Sequence, residues 1–199
     1  MTSPLVLASS SPFRRRLMEN AGLAFSTETA RIDERQIEEG LASQNRGPES
    51  LASELACRKA LEVSARRPDA LVIGCDQTMA MGSQIFHKPT DLDAARRQLQ
   101  ALRGGTHRLY SGICVVRNGE VVWKFVGQAE LTMRNFSDEF LDRYLTLVGA
   151  KALTSVGAYQ LEGEGIQLFS SIVGDYFTII GLPLMALLEQ LRRMGEIDA

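Results

Sequence analysis

Arg14, Glu34, Lys59, Asp76 and Lys88 are the side chains of this 199-residue chain whose types and settings could do chemistry. Arg14 follows an apolar run, Leu5-Val6-Leu7-Ala8, then Ser9-Ser10-Ser11 and Pro12. That is the order of a strand, a serine cap and a proline in the first helical turn. Arg15 and Arg16 add two more cations at the positive end of the helix dipole, where carboxylates are preferred. The arrangement makes sense if an anion sits on the exposed N–H groups and the guanidinium groups close around it. Solvated arginines are the plain alternative. Asp76 directly follows Ala70-Leu71-Val72-Ile73-Gly74-Cys75, which reads as a buried strand ending at a carboxylate. Open α/β sheets bind ligands at that end, so Asp76 is placed to hold a divalent ion through oxygen, to take a proton from water, or simply to cap the next turn.

Lys59 lies on one helical stripe with Leu51 and Leu55, so its ammonium either snorkels to solvent or neutralises something in a cleft. Lys88 precedes Pro89 and is held extended, which suits a reach toward phosphate as well as an ordinary turn. Asp33-Glu34 sits in an acidic stretch and either completes an oxygen-ligand site with Asp76 or lies solvated in a loop. Local cations, a helix N-terminus and two carboxylates together suit a polyphosphate with a divalent ion bridging its oxygens.

The elements that must position these groups alternate between helix and strand. Helices are predicted from Pro12, over Pro48 to about Ala65, Asp91 to Leu102, Asp138 to Leu147 and from Gly181-Leu182-Pro183 through Arg193. Strands are predicted at Leu5–Ala8 and Ala70–Cys75, in a hairpin over Met79–Ile85, and on either side of an Asn118-Gly119 turn. Ala30–Gly47 is a polar, acidic stretch with little clear periodicity, and Gly157–Phe169 reads as a strand pair or loop. The class is therefore α/β with a mixed central sheet flanked by helices, in a single domain over residues 1–199. A net charge of -2 gives no global attraction to nucleic acid or to anionic lipid. No apolar run is long enough to span a bilayer, and no signal-peptide pattern opens the chain, so a cytoplasmic protein is expected. Three separated cysteines argue against a disulfide framework or a paired-cysteine zinc site. Two histidines and no G-x-S-x-G argue against a serine hydrolase. His107 reads as a structural histidine.

Several segments in order carry a resemblance: Leu7-Ala8-Ser9-Ser10-Ser11-Pro12-Phe13-Arg14, Asp33-Glu34, Lys59-Ala60, Ile73-Gly74-Cys75-Asp76-Gln77, Lys88-Pro89, Leu102-Arg103-Gly104-Gly105-Thr106-His107, Gly157-Ala158-Tyr159-Gln160-Leu161-Glu162-Gly163 and Gly181-Leu182-Pro183-Leu184. Over essentially its whole length the chain resembles the Maf family of nucleoside triphosphate pyrophosphatases, also called septum-formation inhibitor-like proteins. The resemblance implies two lobes around a cleft, a fold similar to the inosine triphosphate pyrophosphatases, a divalent metal such as Mg or Mn, and a homodimer. It implies hydrolysis of a nucleoside triphosphate to monophosphate and pyrophosphate. By position it makes Asp76 and Glu34 the catalytic and metal-binding acids, and Ser9, Arg14, Lys59 and Lys88 the phosphate contacts.

Phe13, Gln77 and Glu162 depart from the Arg, Thr and Gln of members that act on dTTP and UTP, and resemble the branch that hydrolyses 7-methyl-GTP. The base chemistry agrees. N7-methylguanine carries a ring cation that an aromatic face attracts by about 0.5–2 kcal/mol. A carboxylate can accept from guanine N1–H and N2–H₂ together. A dTTP/UTP pyrophosphatase, and a nucleotide-binding regulator of cell division that does not hydrolyse, are the alternatives; the intact Asp76 and Glu34 weigh against the second.

Overall fold

The computed structural model describes residues 3–198. Its strands hydrogen-bond in the order β2-β1-β3-β5-β6-β7, with β4 on β3 outside that path. They are β1 (Leu5–Ala8), β2 (Phe25–Thr27), β3 (Leu71–Met81), β4 (Gln84–Phe86), β5 (Thr106–Arg117), β6 (Glu120–Met133) and β7 (Phe169–Val173). The helices are α1 (Pro12–Asn20), α2 (Glu34–Ala42), α3 (Pro48–Arg66), α4 (Leu92–Leu102), α5 (Asp138–Val148), α6 (Tyr176–Ile180) and α7 (Leu184–Arg193). β1 pairs parallel with β2 and β3, whereas β3–β4 and β6–β7 are antiparallel, so the sheet is mixed as expected. The chain forms two compact units: one takes the segments up to Gln77, Tyr110–Gly127 and from Asp175 on; the other takes Thr78–Leu109 and Gln128–Gly174.

In the first unit the two-residue period of the strands sorts the core onto two faces. Leu5, Leu7, Leu71, Ile73, Cys75, Ile113 and Val115 pack with Leu17 and Met18 of α1 and with Leu184, Leu187 and Leu191 of α7. Val6, Ala8, Ala70, Val72, Cys114 and Val116 pack with Ala56, Ala60 and Val63 of α3. Both faces are covered, which is why these strands read as continuous apolar runs. Each fully buried large side chain contributes about 1.5–3 kcal/mol. α3 comes unusually close to the sheet. A Cβ at Gly74 would stand 2.1 Å from the Ala56 carbonyl oxygen and 2.8 Å from the Ala60 Cβ. Gly74→Ala must therefore push α3 off β3. It is expected to destabilise the protein by about 1–3 kcal/mol, read as a fall in the urea midpoint at constant m.

The second unit is built on the remaining lengths of β3, β5 and β6, with β4, β7, α4 and α5. Leu99, Leu102, Leu109, Leu131, Met133 and Leu141 are fully buried there. Asp91 caps α4 by accepting from the Ala94 N–H at 2.7 Å, and Ser137 caps α5 by accepting from the Phe140 N–H at 3.2 Å. Gly104, at φ 68°, ends the turn after α4.

Most predicted elements are present. α1 has Ser11 at its N-cap, accepting from the Arg14 N–H at 3.4 Å, and Pro12 in its first turn. Asn118 and Gly119, at φ 53° and 78°, make the turn between β5 and β6. One expectation is corrected: β3 does not end before Asp76 but runs on to Met81, which places Asp76 inside the strand. The polar stretch Ala30–Gly47 contains a helix the sequence does not announce by periodicity, α2 at Glu34–Ala42. Of the two readings of Gly157–Phe169 the loop holds, since the segment is turns and a 3-10 helix, Glu164–Leu168.

Candidate active site

The period of β3 puts Gly74 and Asp76 on the face that α3 covers. The close approach at Gly74 brings the α3 turn holding Lys59 against that face. Lys59 Nζ donates to Asp76 Oδ1 and also meets Glu34 Oε1 at 2.7 Å. The Lys59 and Asp76 side chains are only 13% and 11% exposed, while Glu34 is 56% exposed. One ammonium thus serves two carboxylates and leaves the trio with one net negative charge. Lys59 does not snorkel, and Asp76 caps no turn. Glu34 stands in the first turn of α2, whose N-cap Asp33 accepts from the Gln36 N–H at 3.0 Å. Asp33 is therefore the helix start and Glu34 the residue aimed at the cluster. The donor set is oxygen only, and the described residues contain no group of three or more His, Cys, Asp or Glu suited to a metal. In donor chemistry the two carboxylates fit a hard divalent cation of the Mg type, which is commonly held by one or two carboxylates plus substrate oxygens.

Arg14 lies on the opposite face of the same sheet. Its Nε donates to the Gly181 carbonyl at 2.8 Å, and its Nη1 donates to the Cys75 carbonyl at 2.9 Å and to Ser9 Oγ at 3.3 Å. Ser9 is buried and also accepts from the Ser11 N–H at 3.2 Å. Arg14 thereby ties the end of β1, the residue before Asp76 and the turn between α6 and α7. Arg15 instead pairs along α1 with Glu19 at 2.7 Å. So the three arginines do not gather as one cationic cluster. The partial negative charge near the start of α1 comes from carbonyl oxygens, and only Nη2 of Arg14 has no hydrogen-bond partner among the described residues.

Gln77, next along β3, faces this side too. Its Nε2 lies 2.9 Å from Ser111 Oγ, 3.1 Å from the Thr178 carbonyl and 3.0 Å from the Ile179 carbonyl. Its amide nitrogen is committed to the fold, which leaves Oε1 as its contact to any base. Phe13 is half-buried on α1. Sequence reasoning missed Ser111 and Thr178 as the supports of Gln77. The Gly181-Leu182-Pro183 motif was the one signal for that region, since Gly181 takes φ 106° and its carbonyl holds Arg14.

Lys88 and Glu162 belong to the second unit. Lys88 is exposed after β4, beside buried Pro89. Glu162 is exposed in the turn that precedes the 3-10 helix. The cysteines are free. Burial pushes the Cys75 thiol up to about 11, which removes it as a nucleophile.

Residues 4–194 match the family described as "Maf-like protein". The chain is 59% identical over 198 residues, the full length of both chains, to a protein of Rhizobium johnstonii named 7-methyl-GTP pyrophosphatase. It is 58% identical over the same span to one of that name from Rhizobium etli. It is 52% identical over 192 residues, 96% of this chain and 99% of the other, to a nucleoside triphosphate pyrophosphatase of Paramagnetospirillum magneticum. A solved dITP/XTP pyrophosphatase from Mycobacterium abscessus overlays on 96% of each chain at 13% identity and a TM-score of 0.45, a likeness too loose to argue from. On the family match and these full-length identities, the chain belongs to the Maf-like protein family.

Proposed function

We propose that this protein hydrolyses a nucleoside triphosphate, 7-methyl-GTP by preference, to the monophosphate and pyrophosphate. The observation that carries the reading is the Lys59 ammonium between Asp76 and Glu34, a nearly buried acid and a more open one held by a single cation. Asp76 takes a proton from the water that attacks the α-phosphorus. The new bond forms there as the bond to the α–β bridging oxygen breaks, and pyrophosphate leaves with that electron pair. Lys59, the open Nη2 of Arg14, and Lys88 stabilise the charge on the departing group, and Ser9 holds Arg14 in register. A divalent Mg or Mn held by Glu34 and Asp76 would supply a Lewis acid for the phosphate oxygens.

Base choice rests on Phe13, Gln77 and Glu162. Phe13 offers a ring face to the methylated base, Gln77 offers Oε1, and Glu162 accepts from the Watson–Crick edge. The names of relatives at 58–59% identity support this preference. The same reading extends to a homodimer in the cytoplasm. No helix among the described residues is long and apolar enough to cross a membrane.

A panel of 7-methyl-GTP, GTP, dTTP and UTP, with product analysis, tests the proposal. The highest kcat/KM is expected on 7-methyl-GTP. Glu162→Gln should cut its advantage over dTTP by about 10–100-fold, the worth of one charge-assisted hydrogen bond. A dTTP or UTP preference in the wild type would defeat the substrate assignment. Nucleotide binding without release of pyrophosphate would defeat the activity.

A further inference from the structure

His107 takes no part in the chemistry above, yet it is wholly buried and sits under the turn that carries Glu162. Its Nε2 lies 2.8 Å from the Tyr159 hydroxyl, a bond across 52 residues of sequence. The two rings share an aromatic nest with Phe169, whose centroid is 6.0 Å from His107 and 4.8 Å from Tyr159. Tyr159 in turn shapes the turn's backbone. Its ring stands where a Cβ on Gly157 would be, at 2.1 Å, and Ala158 between them takes φ 57°. The Tyr159 N–H donates to Ser155 Oγ at 3.1 Å, and Ser155 Oγ donates to the Tyr159 carbonyl at 2.6 Å. Two further ties hold the start of the segment: Gln98 Nε2 donates to the Val156 carbonyl, and the Tyr144 hydroxyl donates to the Ala158 carbonyl at 3.1 Å. Of these long-range ties, the one through His107 is closest in sequence to Glu162.

The His107 ring nitrogen Nδ1 is buried with no partner among the described residues. A phenylalanine would fill the same aromatic nest without burying an unpaired polar atom. What phenylalanine cannot do is hold the Tyr159 hydroxyl. Burial also lowers the imidazole to about 4, so the ring stays neutral and keeps one N–H and one lone pair near neutrality. A bidentate contact to a base edge tolerates little misplacement, and Glu162 is an exposed residue in a glycine-rich turn.

We propose that His107 is a positioning residue for base selection, which through Tyr159 fixes the 157–163 turn and with it the Glu162 carboxylate. The inference rests on the base-reading role given to Glu162. Two measurements on His107→Phe and Tyr159→Phe test it; the second variant removes only a hydroxyl and keeps the test alive should the first fail to fold. Amide hydrogen exchange in residues 157–163 is expected to quicken in both. The advantage of 7-methyl-GTP over dTTP should fall about tenfold, the effect of one lost hydrogen bond, through KM and with kcat within about twofold. His107→Gln, which can still bond the hydroxyl, should recover most of it. Unchanged exchange in 157–163, or an equal loss on every nucleotide, overturns the proposal. If Glu162→Gln leaves selectivity unchanged, base reading by Glu162 falls and the selective role of His107 falls with it. Lost selectivity in Glu162→Gln beside unaltered selectivity in Tyr159→Phe overturns the role of the His107–Tyr159 pair alone.

Discussion

Asp76→Asn is expected to lower kcat for pyrophosphate release by about 10²–10⁴-fold, the usual worth of a positioned general base. Asparagine keeps the volume and one hydrogen-bonding oxygen, so Lys59 retains a partner there and its second partner, Glu34 Oε1, at 2.7 Å. The β3 backbone keeps its parallel pairing with β1, which ends at Ala8 and Gly74, short of the substitution. The fold should survive, with an unchanged circular dichroism spectrum and a melting temperature within a few degrees. The loss should fall on kcat rather than KM, because the proton moves in the transition state while the phosphate contacts persist. A coupled assay for pyrophosphate, run beside the thermal melt, separates lost chemistry from lost structure. An Asn variant as active as the wild type would remove Asp76 from the reaction altogether.

The frame around Asp76 was legible where its causes are local. Ser11 and Pro12 announce α1, Asn118-Gly119 announces the hairpin turn, and the apolar parity of Leu5–Ala8 and Ala70–Cys75 matches strands covered on both faces. α2 was missed because its apolar side is only Ile37 and Leu41, both half-buried, too short a stripe to stand out among its charged neighbours. Its start was still written locally, in Asp33 followed three residues later by Gln36, a capping signal. The end of β3 was misplaced because a charged residue inside a buried strand looks like a terminus. Lys59, 17 residues back, is what makes Asp76 tolerable there.

The site was legible as a set of residue types but not as a geometry. Three arginines at a helix start suggested a bound anion, whereas Arg14 spends its Nε and Nη1 donors on Ser9, Cys75 and Gly181. Gln77 likewise spends its amide nitrogen on carbonyls 101 and 102 residues away. Partners at such separations leave no trace in local spacing. Both residues touch the stretch around Asp76, so the residues nominated for ligand contact also build the frame that holds the acid. Substituting either one is expected to change structure and chemistry together, which makes them poorer probes of mechanism than Asp76 or Lys59.

Lys59→Met is expected to cost activity and stability at once, and the two losses should separate in a double mutant. Methionine matches the length of the lysine stem but leaves Asp76, with its side chain 11% exposed, facing Glu34 with no cation between them. Removing one partner of a nearly buried ion pair typically costs about 3–5 kcal/mol, and the exposed Glu34 contact adds little to that. The urea midpoint should fall accordingly at unchanged m. Turnover should fall about 10²–10³-fold, since the ammonium is hydrogen-bonded to the proposed base and, in the proposed reaction, stabilises the charge on the leaving group. Adding Asp76→Asn to Lys59→Met removes the uncompensated carboxylate, so the double variant should regain much of the lost stability while remaining inactive. That non-additivity in stability is the signature of a direct pair. Additive stability losses would mean that Lys59 and Asp76 do not depend on each other in solution, and the shared-ammonium site would lose its physical basis.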